Sequence, residues 1–307
     1  MTSAGGERCV LLVGHPRRAD IPDLARTVLD RLHVDGMQGV LLESEVARLG
    51  LADHPAVRVA AASNPAEGCE VVCVLGGDGT LLWGAELSRG SGVPLLGVNL
   101  GHVGFLAEAE AEELHATVDR IAARDYSVEE RVALEVIGYH AGEVFYTGWA
   151  LNEVSVEKAA RERMLELTVE VDGRPLSTWG CDGVIVATPT GSTAYAFSAG
   201  GPVVWPDVEA ILLVPLSAHA LFARPLVVGP SSVLAVEIIP DAEGAGVVWS
   251  DGRRSVDLPA GARIEVRKSA DPVRFARLSA APFTDRLVAK FDLSVHGWRG
   301  RGRDGAG

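Results

Sequence analysis

Aromatic residues supply only 6% of the 307 positions, lysine occurs three times (Lys158, Lys268, Lys290), and the four cysteines show no Cys-x-x-Cys spacing. Without that spacing a zinc site or a disulfide framework has no basis. Cys9, Cys69, Cys73 and Cys181 are read as buried free thiols in a reducing compartment. No dense Lys/Arg run occurs, and a net charge of −13 with a pI near 5.1 makes the chain a poor non-specific ligand for nucleic acid or anionic lipid. The excess of arginine over lysine reads as coding bias rather than chemistry. No apolar stretch reaches membrane-span length, and the opening Met-Thr-Ser-Ala-Gly-Gly-Glu-Arg lacks the charged and apolar regions of a signal peptide. The expectation is a cytoplasmic protein with neither nucleic acid nor a membrane as partner. What remains is 48% hydrophobic and 22% charged, enough for one or two domains with ample core. No internal repeat is present.

The chain is organised around Val71–Trp83, where a run of β-formers stops at Gly76-Gly77-Asp78-Gly79-Thr80 and a helix-like stretch follows. A buried strand, a glycine turn and a helix start form a phosphate site by geometry. Glycine lets the backbone come close, and free N–H groups at a helix start attract anions. Asp78 is the unexpected member, since a carboxylate repels phosphate unless a cation or a proton-transfer task justifies it. Two readings stand for it: a helix cap, which Asp provides well, or a chemical role.

Cys9–Val13, Gly39–Leu42, Val57–Ala61, Val71–Leu75 and Pro94–Val98 read as short apolar strands. Leu24, Val28 and Leu32 recur four apart, as on a helix, and a second helix is predicted from about Ala111 to Ala123. Strands alternating with helices over residues 1–125 predict a mostly parallel sheet covered on both faces. Ligands of such sheets sit beyond the carboxyl ends of the strands, where this glycine turn and the second one, Asn99–Leu106, both fall. From 126 to 280 the pattern turns to β: Val132–Ile137, Val144–Leu151, Leu165–Val171, Val184–Ala187, Pro225–Val228, Val233–Ile239, Val247–Trp249 and Ile264–Val266. Asp172-Gly173 and Ser250-Asp251-Gly252 read as turns, so this domain is predicted to be a mainly antiparallel sandwich. Thr284–Phe291, within a segment 281–299, is helix-like and is expected to return to the first domain. Residues 1–7 and the Gly/Arg-rich tail, 300–307 above all, are expected to be disordered.

The densest polar stretch is Gly180–Tyr195, where a strand ends in Thr188-Pro-Thr-Gly-Ser-Thr-Ala-Tyr195, with Ser198 and Gly200-Gly201-Pro202 beyond. Small residues leave room for a flat ligand, hydroxyls direct hydrogen bonds, and Tyr195 offers a ring for a base to stack on. Alone, the stretch reads sooner as an ordinary Ser/Thr-rich turn capping a short helix, and its length and mixture argue for more. Asn152-Glu153 is read as a polar pair ending the strand that contains Trp149. As a loop pair it is solvated. As a site pair, an amide and a carboxylate are what read the two hydroxyls of a ribose.

Gly76-Gly77-Asp78-Gly79-Thr80, Asn152-Glu153 and Asp182-Gly183 through Tyr195 occur in the order and approximate spacing of the NAD kinases. Gly97–Leu106 and Arg224-Pro225-Leu226-Val227 also resemble that family, over nearly the whole chain. The Gly-Gly-Asp-Gly-Thr motif is shared with diacylglycerol-type lipid kinases and, loosely, phosphofructokinases, whereas Thr188–Tyr195 is more specific. The resemblance implies an α/β domain plus an antiparallel sandwich of the NAD kinase/diacylglycerol kinase type. It implies phosphoryl transfer from ATP, or polyphosphate, to the 2′-hydroxyl of the adenosine ribose of NAD. Asp78 would accept that hydroxyl's proton, at a cost on its removal of about 10²–10⁴ in rate. Gly76, Gly77, Gly79 and Thr80 would hold donor phosphates. Asp78, Gly79, Asn152, Glu153, Arg163, Asp182, Thr193, Ala194, Tyr195, Ser198 and Ser217 would contact NAD. No residue is assigned as a metal ligand, and a divalent ion, Mg²⁺, would ride mainly on the donor's phosphates. The family also implies a homodimer or homotetramer.

Two departures stand out. Trp83 occupies a position where many members carry Arg or Lys, leaving Arg17, Arg18 and Arg253 as basic candidates; Arg253 itself replaces the glutamine of a common Asp-Gly-Gln turn. Three rival readings are a lipid kinase, a non-catalytic NAD(P) sensor and a hydrolase with Ser198 as nucleophile and His219 or His296 as base. The lipid kinase calls for a membrane-docking segment that the sequence lacks. Retention of Asp78 argues against the sensor. The run before Ser198 is no strand, which argues against the hydrolase.

Overall fold

The computed structural model describes residues 7–101, 104–160, 163–240, 244–279 and 281–295. The N-terminal tail 1–6, His102, Val103, His296 and the tail from 297 lie outside the described residues. The chain divides into two units, one of Met1–Glu129 with Arg274–Gly307, the other of Glu130–Val273.

The first unit begins with β1 (Cys9–Gly14), α1 (Ile21–Val34), β2 (Gln38–Leu41), α2 (Glu43–Leu49), β3 (Val57–Val59), β4 (Val71–Leu75), α3 (Asp78–Ser88), β5 (Leu95–Asn99), β6 (Ala109–Glu110), α4 (Leu114–Ala123) and β7 (Ser127–Arg131). Helix α1 forms because Pro22 sits in its first turn, Asp23 faces its positive end, and Arg31 and His33 face its negative end. Ile21, Ala25, Val28, Leu29 and Leu32 make its buried stripe. Helix α2 is barely two turns long and stops at Gly50, whose left-handed φ of 64° suits glycine.

The second unit holds β8 (Leu134–His140), β9 (Glu143–Ala150), β10 (Glu153–Lys158), β11 (Leu165–Val171), β12 (Arg174–Cys181), β13 (Gly183–Ala187), α5 (Tyr195–Ser198), β14 (Ile211–Leu216), β15 (Leu226–Val228), β16 (Leu234–Ile238), β17 (Gly246–Ser250), β18 (Arg254–Leu258) and β19 (Arg263–Lys268). Two six-stranded antiparallel sheets, ordered β15-β14-β13-β10-β17-β18 and β12-β11-β16-β19-β8-β9, share one core that includes Val154, Val186 and Leu213 from the first and Leu167, Trp179 and Ile264 from the second. Both expected Asp-Gly turns are present. Asp172 and Gly173 have φ of 53° and 71°, Asp251 and Gly252 of 54° and 61°, the paired positive values of a tight hairpin turn. One expectation needs correction: Asn152-Glu153 does not end a strand. Strand β9 stops at Ala150, the chain bends through Leu151 and Asn152, and Glu153 opens β10.

The chain then returns to the first unit with β20 (Val273–Arg277) and α6 (Phe283–Phe291). The sheet order there is β3-β2-β1-β4-β5-β20-β7, with β6 beside β5, and the β1–β2, β1–β4, β2–β3, β4–β5, β5–β6 and β5–β20 pairs are parallel. All five residues of β4 are buried, and α3 lies against β4 and β5 because Gly84 leaves room for it. A Cβ on Gly84 would sit 2.8 Å from Val74 Cγ2 and 3.0 Å from Leu95 Cδ2. Gly84→Ala is therefore expected to destabilise. The overpacking cost of about 1–3 kcal/mol outweighs the gain of about 1 kcal/mol in helix propensity. The denaturation midpoint in urea checks the sign.

Candidate active site

In the first unit the loops after β1, β4 and β5 lie side by side at the strands' carboxyl ends. His15 N–H donates to Leu75 O and Gly76 N–H to Val98 O, both at 2.9 Å. Gly76 is required by close approach, since a Cβ there would lie 2.5 Å from Thr80 Oγ1. Thr80 is buried beneath the turn, whereas a Cβ on Gly77 or Gly79 would meet open space. Helix α3 starts at Asp78, and its ladder begins with Thr80 N–H donating to Gly77 O at 2.9 Å, so the N–H groups of Asp78 and Gly79 precede the ladder and face the position an anion would take.

Asp78 is not left to point freely. Phe105 N–H donates to its Oδ2 and Leu106 N–H to its Oδ1, each at 3.2 Å. Gly104 stands so close that a Cβ would come within 2.6 Å of Oδ1. The second glycine turn is thus the seat of the carboxylate of the first: the sequence placed Gly104, Phe105 and Leu106 in a turn at the carboxyl ends of the strands without a role of their own, and the structure sets them against Asp78. Arg18, one of the basic candidates, pairs with Asp20 at 2.6 Å and donates to Leu100 O, at the start of the same turn. Arg17 is exposed and Trp83 half-buried.

In the second unit Asn152-Glu153 and Thr188–Tyr195 come together, because β10 pairs with β13 in a register that sets Glu153 opposite Ala187. Thr188 Oγ1 donates to Leu151 O at 2.6 Å and Thr188 N–H to Asn152 O at 2.8 Å. Gly191 lies against the same residue, since a Cβ there would fall 2.0 Å from Asn152 O. From the other side Asp251 holds the bend. Its carboxylate accepts the N–H groups of Leu151 (3.0 Å), Asn152 (2.7 Å) and Glu153 (3.3 Å), and it pairs with Arg254 at 3.0 Å. The Arg254 guanidinium stacks over Trp149, 4.6 Å from the ring centre. Asp251, Thr188 and Gly191 are further residues that motif reading did not assign. The one signal for Asp251 was its Asp-Gly turn.

Glu153 is 7% exposed, and among the described residues its Oε2 has no hydrogen-bond partner. Burial, with the Asp251 charge second, pushes its carboxyl up to about 8 against the opposing Tyr195 N–H. Burial also raises the Tyr195 phenol, helped by the charges of Glu157, Glu153 and Asp182, and its hydroxyl donates to Glu157. The Lys158 ammonium, 2.6 Å away, draws the Asp182 carboxyl below its ordinary value, with the Ser217 hydroxyl as a further donor. Thr193 caps its own turn through Thr190 O (3.2 Å), while Ser192 is buried and exchanges hydrogen bonds with Val204. Ala194 is half-buried, Ser198 is exposed at the end of α5, and Arg163 lies exposed between β10 and β11. As the last residue of a four-residue helix, Ser198 lacks the strand-to-helix turn of a nucleophile elbow.

Residues 10–126 match the family described as ATP-NAD kinase N-terminal domain, and residues 151–278 match ATP-NAD kinase C-terminal domain. The chain is 57% identical over 293 residues to NAD kinase 2 of Streptomyces avermitilis, covering 95% of this chain and 97% of that one. It is 56% identical over 301 residues to the NAD kinase of Thermobifida fusca, covering 96% and 92%. Among solved structures, an NAD kinase from Archaeoglobus fulgidus in complex with ATP matches with a TM-score of 0.67 at 27% identity, over 93% of this chain and 98% of that one. Yeast NADH kinase complexed with NADH shares the fold with a TM-score of 0.86 at 22% identity, over 94% and 89%.

The buried Glu153 has a pH signature. Between its ordinary value near 4.3 and about 8 the folded protein keeps a proton that the unfolded chain releases, so stability falls as pH rises through that window and levels above it. Glu153→Gln removes the titration. The unfolding midpoint of the wild type relative to Glu153→Gln is expected to drop from about pH 5 to about pH 8. A difference that stays flat would contradict the buried placement.

Proposed function

The chain belongs to the ATP-NAD kinase family, and from that premise we propose that Asp78 is the proton acceptor as a phosphoryl group passes from ATP to the 2′-hydroxyl of the adenosine ribose of NAD. The observation that carries this reading is the seat of the carboxylate at the start of α3, aimed by two backbone N–H groups. A carboxylate is far too weak a base to deprotonate a free alcohol outright. Phosphoryl transfer is loose, however, so the proton leaves late, and Asp78 orients the oxygen and takes the proton as the new bond forms.

The donor's phosphates rest on the backbone of Gly76, Gly77, Gly79 and Thr80. Supporting this are the open faces of Gly77 and Gly79 at the start of α3. Mg²⁺ keeps most of its waters and binds largely through substrate phosphates, which fits a turn whose backbone N–H groups hold phosphates and the lack, among the described residues, of any cluster of three acids, histidines or cysteines. The ion would be carried by the phosphates held at Gly76–Thr80 and, when bound, would neutralise their charge. Arg18 is the preferred basic partner in place of the residue at Trp83, since it already reaches the second glycine turn.

Asn152 and Glu153 bind the ribose and the neighbouring base. A ribose hydroxyl donating to Glu153 Oε2 gives that buried atom the partner it lacks and favours the ionised form. Asp182 contacts the dinucleotide, Thr193, Ala194, Tyr195, Ser198 and Ser217 line a base pocket, and Arg163 supplies a basic contact. The same reading takes ATP as donor, with polyphosphate as the alternative, in a cytoplasmic homodimer or homotetramer. The ATP complex of the Archaeoglobus fulgidus relative supports the choice of donor.

The test is NADP formation from NAD and ATP with Mg²⁺ by the wild type and by Asp78→Asn. The amide is expected to keep NAD binding and to lose about 10²–10⁴ in kcat. A wild type that binds NAD and forms no NADP would make the chain a sensor. An Asp78→Asn enzyme of undiminished rate would remove Asp78 from the chemistry.

A further inference from the structure

Helix α6, the last helix among the described residues, touches the residue that aims Asp78. The Phe105 ring contacts both Phe283 and Phe291 of α6, with centroid separations of 5.9 and 5.8 Å. Arg286, on the same helix face, donates from Nη1 to Phe105 O at 3.0 Å and pairs through Nη2 with Glu108. Glu108 has only 1% of its side chain exposed and also meets Arg277 of β20 at 2.7 Å. Its Oε2 further accepts the N–H of Leu278 at 3.3 Å. Thus Phe105 is gripped at its ring and at its carbonyl by a segment about 180 residues further along, and its N–H bonds the Asp78 carboxylate.

We propose that α6 is a positioning element for catalysis, with Arg286, Phe283 and Phe291 fixing the 104–106 turn so that the Phe105 and Leu106 N–H groups hold Asp78 in the direction the reaction needs. The geometry leaves little slack. Only glycine lets the turn lie this close to Asp78, since a Cβ at position 104 would fall 2.6 Å from Oδ1. The turn is kept from moving away by the aromatic contacts and by the Arg286 fork, whose other arm is fixed on a buried carboxylate. Helix α6 makes its own contribution from a surface position, since none of its residues is fully buried. Its removal from the turn therefore does not require the core to open. A displacement of about 1 Å at a reacting group can cost on the order of 10²-fold in rate, so a modest loosening of Phe105 is visible in kcat.

This inference rests on the reading of Asp78 as proton acceptor, and two measurements separate the two claims. Arg286→Ala is expected to lower kcat about 10-fold while KM for NAD and for ATP stays within about twofold. The milder Phe283→Leu, which keeps the helix and weakens the ring contact, is expected to lower kcat by a few-fold. In the Asp78→Asn background neither change should cost more, because the group they position is gone. Independently of activity, hydrogen exchange at the Phe105 and Leu106 amides is expected to quicken in Arg286→Ala. Unchanged exchange there, or kcat losses that multiply in full with Asp78→Asn, would overturn the positioning role even if Asp78 proves essential. An inactive wild type would overturn the reading of Asp78, and the exchange result would still decide whether α6 holds the turn.

Discussion

A short carboxylate is a directed acceptor only when its two oxygens face a fixed way. At Asp78 that direction comes from consecutive backbone N–H groups, those of Phe105 and Leu106. Backbone donors suit the task because they have no side-chain rotamers to lose. Strand β5 delivers the turn, Gly104 lets it come close, and Phe105 anchors it. The rest of the first unit follows from the need to bring two glycine turns to one end of a parallel sheet. Buried strands such as β4 and β5 supply rigidity there, and the loops supply chemistry.

The second unit uses the same device with the roles reversed. At Asp251 the carboxylate is the fixed element, and the backbone of Leu151–Glu153 is shaped around it. Three N–H groups converge on one buried side chain, which keeps the bend between β9 and β10 open and presents Asn152 and Glu153 from it. Thr188 and Gly191 close the bend from the opposite side. Glu153 then carries the electrostatic cost of this arrangement, a buried carboxyl beside a second acid with one oxygen unmatched, the kind of strain that a polar ligand relieves.

Much of this was legible in residue order. The glycine turns announced the ends of β4 and β5, the Asp-Gly pairs announced two hairpins, and Thr188–Tyr195 announced the loop after β13. The contacts that orient the site were not legible, because Asp78 meets Phe105 across 27 residues and Asp251 meets Asn152 across 99. Asn152-Glu153 misled because apolar residues flank it on both sides, so the pattern reads as one strand closing rather than as two strands meeting at a bend. Ile211–Leu216 is buried over its first four residues and shows no alternation, while much of Arg174–Cys181 is an exposed sheet edge with only a weak pattern. The role of α6 was invisible for a similar reason: its amphipathic face marks it as docked but does not name the turn it docks on.

A carboxylate aimed by fixed donors should meet one hydroxyl of the acceptor and no other. The direct test is the position of the new phosphate on product made by the wild type from NAD and ATP, read by phosphorus–proton correlation NMR. The account predicts a single product, phosphorylated at the 2′-oxygen of the adenosine ribose. Phosphate at the 3′-oxygen, on the nicotinamide ribose, or spread over several positions would contradict it.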